Sequence, residues 1–93
     1  MNGRQLVAWN LRKQRVSKRL SQEQLAVDAD VDRTYVGALE RGAANPSVDV
    51  LDRLAAALEL RIAELFREPA KGAPRPSPLP GGRRRQRTVK SSG

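Results

Sequence analysis

Residues 22–29 and 32–41 both carry apolar side chains at helical spacing, and only two or three residues separate the two stretches. That short connection constrains the fold more than any other feature. Two helices joined so tightly must cross steeply, and the crossing makes three demands on nearby residues. A small side chain must sit where the helices approach, and Ala26 supplies it. The connection must hold an unusual backbone, and Asp30 is among the few residue types besides glycine that enter the left-handed region tolerably. Apolar residues of both helices must share one core, and Leu25, Ala29, Val31, Val36 and Leu39 do so.

The rest of residues 1–67 arranges itself around this pair. A first helix runs from about Arg4 to Ser17, with Val7, Leu11 and Leu6 on its apolar side, and Lys18 and Arg19 end it. Ser21 and Gln24 match the S-x-x-Q capping box that opens the second helix. Asp32 is a natural N-cap for the third, and Gly42 stands where a C-terminal glycine cap belongs. After the loop GAANP, Ser47 caps a fourth helix striped with Leu51, Leu54, Ala55 and Leu58. A last helix of about one turn covers Ile62–Phe66, and its preceding residue, Arg61, is a poor cap. No stretch alternates with period two. The expectation is an all-α, five-helix domain over 1–67, with a helix-turn-helix at 22–41.

Composition changes near Arg67. Residues 68–93 hold all but one of the six prolines and hardly any large apolar side chain. Such a segment cannot bury enough surface to offset its ordering entropy, so it reads as a disordered Pro/Arg-rich basic tail. The net charge of +8 is concentrated there: seven Lys/Arg against one Asp/Glu, compared with eleven against nine in residues 1–67. The balance favours a polyanionic partner without selecting one.

Cysteine and histidine are both absent, which removes disulfides, thiolate and imidazole metal sites, zinc fingers and Ser-His-Asp chemistry. Glu23, Asp28, Asp30 and Asp32 read as caps and surface charges with no nucleophile–base pair beside them, so neither an enzyme nor a cofactor is expected. No apolar run approaches the ~20 residues of a membrane-spanning helix, and the N-terminus does not read as a secretory signal. A cytoplasmic, nucleoid-associated location follows as the expectation, with no membrane partner.

With the inner face of the third helix assigned, Arg33, Thr34, Gly37, Ala38 and Arg41 fall on or near its outer face. Arg33 and Thr34 stand at the N-terminal end, the part of such a helix that meets base edges in the major groove. Arginine donates two parallel hydrogen bonds to guanine O6 and N7; threonine hydrogen-bonds or sets its methyl against thymine. Glycine costs ~1 kcal/mol in a helix, and the gain expected at Gly37 is close approach of the backbone to DNA.

The pieces SQEQLA, DRTYV, ERG, NPS and LDRLAAAL occur here in one order and spacing. Over about residues 5–66 the chain resembles the phage-repressor and Cro-like (XRE-type) helix-turn-helix family. DRTYVGALERG also looks like the controller proteins of restriction–modification systems. The resemblance implies a transcription regulator that binds double-stranded DNA as a homodimer on a pseudo-palindromic operator, with recognition helix 32–41 in the major groove. It implies base contacts from Arg33, Thr34 and Ala38, and backbone contacts from Gln22, Tyr35, Arg41 and Asn45. It places the dimer interface on the fourth and fifth helices, where Leu60, Ile62, Leu65 and Phe66 cluster; the alternative is that these four close the core.

Arg15 and Glu40 match a pair that joins the first and third helices in relatives; the alternative is an exposed pair contributing under ~1 kcal/mol. Tyr35 has packing against the first helix as its alternative, and Trp9 reads as a partly buried packing residue. Arg19 and Glu59 stand where relatives often have glycine, which implies local strain. Ala43 and Ala44 replace basic residues common in relatives. A second functional reading is an antitoxin-like interaction module whose tail binds a partner protein.

Overall fold

The computed structural model describes residues 1–70; the rest of the expected tail, with any partner it would bind, lies outside the described residues. Four α-helices follow in order, α1 (Gly3–Ser17), α2 (Gln22–Ala29), α3 (Arg33–Glu40) and α4 (Val48–Ala57), and a 3-10 helix at Ile62–Phe66 closes them. The last of the five expected helices therefore winds more tightly than α, as short terminal turns often do. No strand occurs among the described residues. No described helix is long and apolar enough to cross a membrane.

Each α-helix begins on a polar cap. Asn2 and Gln5 form a full capping box, each side chain bonded to the other's backbone N–H at 2.9 Å. This box starts α1 a residue earlier than apolar spacing alone indicates. Ser21 Oγ accepts from the Gln24 N–H at 2.9 Å, but the expected reciprocal arm is absent. The Gln24 amide instead donates forward to Asp28 Oδ1 at 2.9 Å, one turn along the same exposed face. Asp32 caps α3 through the Thr34 N–H, and Ser47 caps α4 through the Val50 N–H.

The helix ends share one device. In each, a residue with positive φ follows the helix: Arg19 (60°), Asp30 (58°), Gly42 (72°) and Glu59 (59°). The next residue donates back to the carbonyl five positions earlier: Leu20 to Arg15, Val31 to Ala26, Ala43 to Ala38, and Leu60 to Ala55. This is the Schellman arrangement, which satisfies carbonyls the helix end would leave unpaired. It explains how Arg19 and Glu59 tolerate a glycine-like backbone. Leu20 and Leu60, which follow them, pack on the core and hold each turn in place.

The core consists of Val7 and Leu11 from α1, Leu25, Ala26 and Ala29 from α2, Val36 and Leu39 from α3, Leu51, Leu54 and Ala55 from α4, with Leu58 and Leu65 closing it. α3 packs against α1 and α2, while α4 and the 3-10 helix support them from the other side. Asn10 and Arg15 are the buried polar residues among those described, and Asn10 lies against the 3-10 helix. Its amide donates to the carbonyls of Leu65 at 3.1 Å and Arg67 at 2.7 Å, which ties the end of the domain to α1. Because α3 packs chiefly on α1 and α2, Arg33 and Thr34 at its start and Arg41 on its cap remain exposed.

Candidate nucleic-acid interface

The connection between α2 and α3 takes the form its length demands. Ala26 is buried where the helices meet, and Asp30 turns the chain in the left-handed region. Asp32 then stops the turn by accepting from the Thr34 N–H at 2.9 Å. The cap fixes the first turn of α3, so Arg33 and Thr34 leave a defined platform. Both are exposed, and Arg33 forms no ion pair among the described residues.

The remaining expected contact residues divide by burial. Arg41 and Asn45 are exposed, on the cap of α3 and in the following loop. Ala38 and Tyr35 are half-buried, and Tyr35 packs against the core cluster. Gln22, the first residue of α2, is half-buried, and its Nε2 donates to Glu40 Oε1 at 3.1 Å. The structure thus brings Gln22 to the far end of α3 from Arg33.

Glu40 is the hub of that end. Arg15 Nε donates to Glu40 Oε2 at 2.6 Å and Arg15 Nη2 to Oε1 at 3.0 Å, a two-pronged pair. The two side chains are only 8% and 3% exposed, so the exposed-pair alternative is incorrect. A third arginine nitrogen, Nη1, donates to the Leu20 carbonyl at 2.8 Å. A buried charge pair of this kind persists because its remaining donors are also satisfied. Arg15, Leu20, Gln22 and Glu40 together fasten the C-terminal end of α3 to α1 and to the start of α2. Spacing in the sequence carries no signal for the Gln22–Glu40 bond, since the partners lie on different helices.

Gly37 is buried, and a side-chain carbon there would stand 3.3 Å from Arg41 Nη1 and 3.6 Å from Gln22 Oε1, the far ends of two flexible side chains that fold over α3. Leu65 requires a correction. It has no exposed surface, so of the two alternatives it closes the core. Of the other three cluster members, Phe66 is 42% exposed, while Leu60 and Ile62 are half-buried against the core.

Comparison with known proteins agrees with this geometry. The helix-turn-helix family model HTH_3 matches residues 11–65. A hypothetical transcription factor of Neisseria meningitidis serogroup B is 41% identical over 66 residues, covering 71% of this chain and 62% of the relative. The control protein C.BamHI of Bacillus amyloliquefaciens is 38% identical over 66 residues, covering 70% of this chain and 82% of the relative. The crystal structure of the restriction-modification controller protein C.AhdI from Aeromonas hydrophila superposes with a TM-score of 0.66 at 43% identity, covering 68% of this chain and 96% of that one.

Proposed function

Because this chain belongs to the helix-turn-helix family, we propose that it is a sequence-specific transcription regulator that lays α3 in the major groove of double-stranded DNA. The observation that carries this reading is the contrast within α3: a fastened C-terminal end, and an exposed Arg33–Thr34 pair on a capped first turn, with Arg33 in no ion pair among the described residues. Arg33 reads guanine with two donors, Thr34 reads by its hydroxyl or methyl, and Ala38 lies one turn further along the same side. Gln22, Tyr35, Arg41 and Asn45 engage the sugar–phosphate backbone around that centre, setting register without reading sequence.

The domain acts as a homodimer, joined through Phe66 with Leu60 and Ile62, in the cytoplasm on nucleoid DNA. Two copies of α3 then enter successive major grooves roughly 34 Å apart. Residues 68–93, seven of them cationic, add phosphate neutralisation that strengthens binding to any sequence. The relatives named above are a transcription factor and controller proteins, and an enzymatic role has no support beside them.

Selection of bound sites from random duplex DNA tests the reading. The full chain is expected to enrich a motif with two inverted half-sites, and a chain lacking residues 71–93 to enrich the same motif with weaker, less salt-dependent binding. Failure to enrich any motif would contradict the reading; an enriched single half-site would contradict the dimer.

A further inference from the structure

A second concave surface lies beside the interface. It is a cleft of about 250 Å³ between the first half of α1 and the end of α3, walled by Gln5, Trp9, Arg12, Glu40, Arg41 and Gly42. Its charge is unbalanced. The Glu40 carboxylate is already bonded to Arg15 and Gln22, whereas neither Arg12 nor Arg41 takes part in an ion pair among the described residues. Arg12 Nε is shielded from solvent and has no acceptor within the described chain. A buried donor normally has a partner, and no internal group supplies one here; the rest of the half-buried guanidinium lines the cleft, where an outside acceptor would meet it. Two guanidinium groups present planar forks that suit the oxygens of a phosphate better than a point charge does.

Arg41 links the cleft to α3. It lines the cleft, and its Nη1 lies 3.3 Å from where a side-chain carbon on Gly37 would stand. The backbone of a duplex whose groove held α3 would then pass within reach of the cleft's mouth. We propose that Arg12 and Arg41 form a phosphate site against the Trp9 ring, and that its occupant is a phosphodiester of the bound duplex, flanking the groove that α3 enters. This assignment of the occupant rests on the DNA-binding reading above. Arg12 and α1 thereby extend the contact surface beyond the helix-turn-helix itself.

Trp9 is the single tryptophan of the chain, so its emission reports on this cleft alone. The full chain is titrated with sodium phosphate, with dimethyl phosphate and with the selected duplex, ionic strength being held constant with chloride. Both small phosphates are expected to change Trp9 emission saturably, and the duplex stoichiometrically. Arg12→Gln, with helical content and cooperative melting checked, is expected to abolish the small-phosphate response and to lower the slope of log affinity against log salt by about 1 for each site engaged. Arg12→Lys should restore the salt slope. Arg41→Gln is the second variant and should also abolish the small-phosphate response.

Emission unmoved by every ligand would overturn the site. A small-phosphate response with an unchanged duplex salt slope in Arg12→Gln would overturn the duplex phosphodiester as occupant and leave free phosphate in its place. The small-phosphate arms contain no DNA, so they decide the site even where duplex binding fails and the proposed function falls with it.

Discussion

At its C-terminal end, α3 carries Glu40, whose side chain is 3% exposed and whose carboxylate is bonded to Arg15 and Gln22. At its N-terminal end, the same helix carries Arg33 and Thr34, both exposed, with backbone order supplied by the Asp32 cap. The chemistry is similar, an arginine at each end, but the surroundings oppose each other. Arg15 spends its donors inside the protein; Arg33 is exposed and forms no ion pair among the described residues. The difference teaches how a helix of eight residues would serve in the proposed reading role. One end is held by a bonded ion pair, which would present the other end in a fixed register, as side chains that read base edges require a rigid mount.

If the fastened end is structural, removing its hub should have the largest effect on stability. Glu40→Ala leaves Arg15 charged and enclosed without its partner, and is expected to destabilise the fold by about 3–5 kcal/mol in urea or thermal melting. That is a large part of the ~5–15 kcal/mol typical of a domain. A loss under about 1 kcal/mol would show the pair to be no firmer than a surface one.

The reading end should respond more gently. Asp32→Ala removes the hydrogen bond to the Thr34 N–H and should cost about 1 kcal/mol of stability. It should also loosen the first turn of α3, which amide hydrogen exchange at Thr34 and Tyr35 would detect. The smallest effect is expected away from both ends. Arg19→Gly relieves a left-handed backbone at an exposed residue and should stabilise by up to about 1 kcal/mol, measured as a raised melting midpoint.

Much of this architecture was legible in the sequence because it rests on local rules. Asp30, Asp32, Gly42 and Ser47 mark helix boundaries through chemistry confined to a few neighbouring residues, and the structure has them in those roles. Arg19 and Glu59 stood out as residues in glycine positions, and both adopt positive φ. The features that escaped depend on which distant groups meet. Gln24 had two partners within reach and took Asp28. Gly37 faces side chains rather than open space, which depends on how Arg41 and Gln22 fold over α3. The burial of Arg15 and Glu40 follows from the packing of α1 on α3, and no spacing rule states it. Arg12, one more cation on the wet side of α1 in the sequence, gains meaning only from the cleft it lines.

The most direct test of the contrast is the base preference of Arg33→Ala, measured against the selected operator and against operators altered one base pair at a time. The account predicts a loss of about 1–3 kcal/mol on the operator, with preference relaxed at one position in each half-site, and stability within about 0.5 kcal/mol of the natural chain. Equal weakening on every duplex, with all base preferences intact, would contradict it.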